Sequence, residues 1–148
     1  MIVLLIFGIV SAVAIPSIRR SLDEIKLDGA AREVVSMLFY CQSLAIKKGK
    51  NQIVQFHHGQ DRFWCFEQAS GLKAVHPLDK KEYHIKFQTE GPFQGVDIIN
   101  AGFGPANKSS VVFSSLGEPD FVGSVVVGYG GLQKTITVSG ILGNIAVN

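Results

Sequence analysis

From Met1 to Ile18 the chain has no charged side chain, and Arg19 and Arg20 end the run abruptly. No other stretch limits the fold as much. An apolar segment without a polar face belongs in lipid, in a bundle of like helices, or inside a large core. Its eighteen residues are enough to cross a bilayer as a helix. A cleaved signal peptide is a rival reading, because Ala12-Val13-Ala14 resembles a cleavage site. No basic residue precedes the run, however, and Pro16 would stand second after the cut. A membrane segment is therefore the expectation. It is made of Ile2, Val3, Leu4, Leu5, Ile6, Phe7, Gly8, Ile9, Val10, Ala12, Val13, Ala14, Ile15 and Pro16. Gly8 and Pro16 are its weak points: glycine has low helix propensity, and proline removes a backbone donor and crowds the carbonyl of Ala12.

The helical pattern continues past the arginines. Leu27, Ala30, Val34, Met37, Leu38, Cys41, Leu44 and Ala45 recur at helical spacing and form one apolar stripe. Ala31, Val35, Phe39 and Ile46 widen it, while Lys26, Glu33, Ser36, Ser43 and Lys47 lie opposite. Lys47 and Lys48 complement the helix dipole, and Gly49 can take a left-handed cap. The spacing predicts one rod of roughly 70 Å. Its apolar half is residues 1–18, its amphipathic half residues 19–49, and residues 50–148 form a separate head.

After Gly49 the period changes from helical to alternating. Gln52 to His57 and Arg62 to Gln68 read as strands around a turn at His58 to Asp61. Leu72 to Val75, Tyr83 to Gln88, Val96 to Ile99 and Ser110 to Ser114 read as further strands, with Ala101 to Lys108 as a loop. Gly123 to Tyr129 and Leu132 to Val138 read as a hairpin around Gly130-Gly131, and Asn144 to Val147 as a closing strand. The expected fold class is α+β: a long N-terminal helix packed on an antiparallel β-rich head, with one sheet covering the helix stripe.

Chemistry is sparse. A net charge of +2 is too small to predict a nucleic-acid partner. The four histidines, His57, His58, His76 and His84, come without metal-ligand spacing, so no metal site is assigned. Cys65 lies among Phe63, Trp64 and Phe66, which reads as a packed strand and not as a nucleophile. Cys41 and Cys65 fall on the core stripe of the helix and on a nearby strand. They allow a disulfide if the head is periplasmic, or else two buried thiols. Lys47-Lys48-Gly49-Lys50 reads as a helix end, and the carboxylates of Asp79, Glu82, Asp97, Glu118 and Asp120 sit in turns without a catalytic pairing. Neither catalytic residues nor a cofactor are assigned, which leaves a membrane-anchored periplasmic enzyme as the least favoured alternative.

The run Gly8-Ile9-Val10-Ser11-Ala12-Val13-Ala14-Ile15-Pro16 resembles the N-terminal segment of type IV pilin-like proteins. Residues 29–35, GAAREVV, and 43–49, SLAIKKG, resemble the helix of minor pseudopilins of the GspH/FimT type. Phe113-Ser114-Ser115-Leu116-Gly117 resembles that family's late turn, and Val138-Ser139 with Gly143-Asn144-Ile145 its final strand. The resemblance implies a non-enzymatic subunit in the inner membrane with its head in the periplasm. Its helix would pack with those of other pilins or pseudopilins, in the pseudopilus of type II secretion or, alternatively, in a type IV pilus. Secreted cargo or a tip partner would meet the head. Aligning Gly8 and Pro16 on the family places Met1 inside the mature helix, so a basic leader and its cleavage glycine are expected upstream. Such a leader would also offset Arg19 and Arg20, which by themselves favour a cytoplasmic side. DNA-binding FimT members carry arginines near the final glycine. Here Gly143-Asn144-Ile145-Ala146-Val147-Asn148 has no basic residue, so a nucleic-acid partner is not expected.

Overall fold

The computed structural model describes the chain except Met1, Glu90, Ile141 and Leu142, and side chains before Arg19 are outside the description. The membrane or filament assignment of Ile2 to Pro16 therefore falls outside the described side chains. Among the described residues no helix is long and apolar enough to cross a membrane.

One helix, α1, runs Ile2–Lys48. Its end is set by sequence. Gly49 takes a left-handed φ of 63°. The Gly49 N–H donates to the Ile46 carbonyl at 3.3 Å and the Lys50 N–H to the Ala45 carbonyl at 3.2 Å. These two bonds form a Schellman cap, which satisfies carbonyls that the helix leaves open.

Eight strands follow: β1 (Gln52–His57), β2 (Arg62–Glu67), β3 (His84–Lys86), β4 (Asp97–Phe103), β5 (Ser110–Phe113), β6 (Gly123–Tyr129), β7 (Leu132–Ser139) and β8 (Asn144–Val147). They form two four-stranded sheets, in the orders β3-β2-β1-β5 and β4-β6-β7-β8, where the sequence suggested a single sheet. All the pairings are antiparallel. A bulge between Ile98 and Asn100 interrupts the register of β4, and bulges of this kind bend a strand. The chain thus leaves the first sheet after β3, enters the second at β4, and returns for β5. The helix packs against strands of both sheets. Phe56 of β1 and Phe103 of β4 stack across the seam, with ring centres 6.0 Å apart.

The core follows the predicted stripe. Leu27, Ala30, Ala31, Val34, Met37, Leu38, Cys41 and Ala45 are buried on the helix. Phe39 and Ile46, expected to widen the stripe, are instead exposed at 46% and 55%. They lie on its flank, where Ile46 meets Gly117 of the connection after β5. Leu72 to Val75 is no strand either, but makes two isolated bridges, Phe66 to Lys73 and Val75 to Glu82. Of its side chains only Ala74 is buried, so little burial favours a ladder there. Conversely, Ala101 to Phe103, expected as loop, continues β4 because Ala101 and Phe103 alternate into the core. Gly102 between them has no Cβ, and Asn107 folds back into the space that one would occupy.

Candidate interaction surfaces

Two parts of the surface combine apolar area with specific polar groups. The first is the outward side of the helix. Leu22, Ile25, Phe39 and Ile46 are exposed at 60%, 69%, 46% and 55%. Ile25, Phe39 and Ile46 are separated by multiples of seven residues, so they share one edge of the rod. The inward side is held to the head by charge as well as by packing. The Asp28 carboxylate accepts from Lys134 Nζ of β7 at 2.6 Å and from Arg32 Nε at 2.8 Å. The Lys134 hydrogen bond, followed by that of Arg32, holds the Asp28 carboxyl below its ordinary range. Lys26 Nζ lies 4.2 Å from the centre of the Tyr129 ring, so the β6–β7 hairpin also meets the helix through a cation on an aromatic face.

At the capped end, Glu67 of β2 receives Lys50 Nζ at 2.8 Å and lies 3.7 Å from Lys48 Nζ. The Lys50 bond lowers the Glu67 pKa from its usual value. The basic cluster after the helix is thus used to close the helix onto β2. Asp61, which the sequence marks only as part of a turn, has a wider role. Its backbone is left-handed, with φ 45°, and its buried carboxylate accepts the Ile98 N–H at 2.8 Å. Its carbonyl accepts the Phe87 N–H at 2.9 Å. An Asp in a tight turn is a common signal, but nothing in the chain indicates so distant a partner.

The second surface is the outer face of the β3-β2-β1-β5 sheet. Register puts Gln55 opposite Trp64, His57 opposite Arg62, Arg62 opposite Lys86 and Trp64 opposite His84. These side chains alternate with the buried Phe56, Phe63 and Cys65, so they face outward. Arg62 lies over the Trp64 ring at 5.2 Å. Beside them Lys73 Nζ bonds Glu82 at 2.6 Å, which lowers the Glu82 pKa. A shallow cleft of about 360 Å³ lies over Arg62, Trp64, Lys73, Glu82, His84 and Lys86.

The histidines do not converge. His57, His58 and His84 are exposed. His76 accepts the Leu78 N–H at 3.3 Å and meets the Tyr83 ring edge-on at 4.7 Å. Among the described residues no three His, Cys, Asp or Glu gather as metal ligands. Cys41 and Cys65 are brought together, both buried, with Sγ atoms 2.8 Å apart.

No sequence-family model and no curated protein matches the chain. Solved structures do. The type IV minor pilin FimU of Pseudomonas aeruginosa is 17% identical, with TM-score 0.60 over 84% of this chain and 90% of that one. A second crystal form of FimU gives 18% and 0.57 over 82% and 92%. The minor pseudopilin EpsH from the type 2 secretion system of Vibrio cholerae is 15% identical, with TM-score 0.62 over 83% and 96%. Identities this low speak for the fold. With a long helix laid on two antiparallel sheets, the chain has the type IV pilin-like fold of minor pilins and minor pseudopilins.

Proposed function

We propose that the chain is a minor pseudopilin-type subunit that works by packing and not by catalysis. The observation that carries this reading is the helix itself. Its inner side is fixed to both sheets, while Leu22, Ile25, Phe39 and Ile46 are left exposed along the other side. In this reading residues 1–18 form the membrane and filament-core half, residues 19–49 the half gripping the head, and residues 50–148 the periplasmic head. The uncharged run Ile2 to Pro16 anchors the chain once in the inner membrane and packs with the helices of neighbouring subunits. The carboxylates of Asp28, Glu67 and Glu82 are each engaged by lysines in ion pairs, which suits structural cross-links more than acid–base chemistry.

The likeness to EpsH, a type 2 secretion pseudopilin, supports assembly into a secretion pseudopilus, and the likeness to FimU supports a type IV pilus as the second reading. For cargo or a tip partner, the Arg62–Trp64 face is the proposed contact, since a half-buried aromatic on the outer face with a cation over its ring suits a binding surface. A DNA-uptake role is disfavoured, because the segment around β8 has no basic residue.

The test is incorporation into filaments. Ile25→Glu and Phe39→Glu change exposed residues, so the head should fold normally. Recovery of the subunit with sheared filaments or cross-linked neighbours should fall roughly tenfold, the loss of about 1.4 kcal/mol. Wild-type incorporation of both variants would refute assembly through this side. Deleting the gene then separates the two systems: secreted proteins held in the periplasm indicate secretion, and loss of surface pili indicates the pilus.

A further inference from the structure

We infer that Cys41 of the helix and Cys65 of β2 form an intrachain disulfide that covalently staples the rod to the first sheet. Both side chains are fully buried, and their Sγ atoms are 2.8 Å apart. Bond formation brings sulfurs to about 2.0 Å, and the remaining gap is within ordinary side-chain displacement. The surroundings hold the pair in place. Cys41 lies on the stripe between Leu38 and Ala45, which are buried with it. Cys65 points inward from β2, with Phe63 two residues before it and Val54 opposite in register. The end of the helix is also joined to the strand nearby, through Lys48 and, just past the cap, Lys50, both on Glu67.

The step is a two-electron oxidation. Two thiols lose their protons and two electrons, and one Sγ–Sγ bond forms. The electrons go to an external disulfide, of a thiol–disulfide oxidoreductase or of oxidised glutathione, which is reduced to two thiols. Burial and the neighbouring Cys65 raise the Cys41 thiol pKa well above its ordinary value, so thiolate is scarce once the helix has docked. The bond therefore forms as the chain folds, and the folded protein protects it afterwards. For the cell, the inference rests on the proposed periplasmic position of the head, where disulfides persist.

The experiment uses the full chain in detergent, refolded with reduced and oxidised glutathione, then denatured, alkylated and digested. The expected product is a cross-linked peptide pair containing Cys41 and Cys65. Alkylation of both thiols, or glutathione on each without a cross-link, would overturn the inference. A second measurement uses the folded protein. The closed loop should raise Tm by roughly 10 °C over the reduced chain. That shift should vanish in Cys41→Ala and in Cys65→Ala, and an equal shift in those variants would also refute the staple. Chain taken directly from cells tests the compartment separately. Fully reduced cysteines there, together with the cross-link after refolding, would overturn the periplasmic placement and leave the staple intact.

Discussion

The two sheets have the same size and share the helix, yet they are built differently. The β3-β2-β1-β5 sheet fills its inner face with rings. Phe56 and Phe63 stack at 5.7 Å, and Phe63 meets Phe87 edge-on at 5.3 Å. The β4-β6-β7-β8 sheet packs mainly Val125, Val127, Ile136 and Val138 inward, with Phe103 at the seam. Their outer faces differ more. The first presents Arg62, Trp64, His84 and Lys86, and the second presents Ser124, Val126, Thr135, Thr137 and Ala146. Support for the helix needs only a well-filled inner face, which both have. An outer face with a ring and several cations adds nothing to that support, and this asymmetry is why the first sheet is the one proposed for partner contact.

The largest effect is expected in the ring cluster. Phe63→Ala should cost about 3–5 kcal/mol in chemical denaturation, and Ile136→Ala in the other sheet about 2–4 kcal/mol. A loss under about 1 kcal/mol at either position would mean that the inner face of that sheet is not well filled. Asp61→Ala comes next. It leaves the Ile98 N–H without its carboxylate partner inside the protein, and should cost about 1–3 kcal/mol. Asp61→Asn, which keeps an acceptor, should recover most of that loss.

The helix–sheet ion pairs give smaller, pH-dependent effects. Asp28 and Glu67 both have lowered pKa values, below the 3.8 and 4.5 of the free groups. A carboxyl of this kind stabilises the fold fully above its unfolded pKa, and the contribution is lost as pH falls through the folded value. Wild type should therefore lose stability on acidification below those values. Asp28→Asn and Glu67→Gln should each flatten part of that slope, and Asp28→Asn, at a partly exposed carboxylate, should change stability at pH 7 by less than about 1 kcal/mol. An unchanged acid slope in both variants would mean that these pairs do not hold the helix. The smallest stability change is expected for Trp64→Ala, under about 1 kcal/mol because the ring is on the outer face. Its effect should appear in secretion or partner capture. A variant that is stable and fully functional would strip the first sheet of its recognition role.

Much of this architecture was legible in the chain. The stripe from Leu27 to Ala45 and the cap at Gly49 follow from spacing, because a helix against a sheet buries one side and must end at a residue tolerant of positive φ. β1 and the β6–β7 hairpin were equally clear from alternation and Gly130-Gly131. The split into two sheets was not, since alternation marks each strand but does not say which strand it pairs with, and β4 joins β6 while β5 returns to β1. Gly102 misled for a related reason: glycine signals turns, but here it makes room for Asn107 beside a strand. The outer face of the first sheet was hidden as well. Arg62, Lys73 and His84 lie far apart in sequence, and only strand pairing gathers them around Trp64.

The cap at Gly49 has a mechanical consequence. It joins the rod to β1 through only Lys50 and Asn51, and β1 lies between β2 and β5, laddered on both edges. A tug on the rod thus enters the head at a strand held from two sides. Both ladders share the load, whereas an edge strand such as β8 could be peeled away one bond at a time. A subunit extracted from a membrane or carried within a moving fibre would meet such loads repeatedly, and this joint lets the head follow the rod without unravelling.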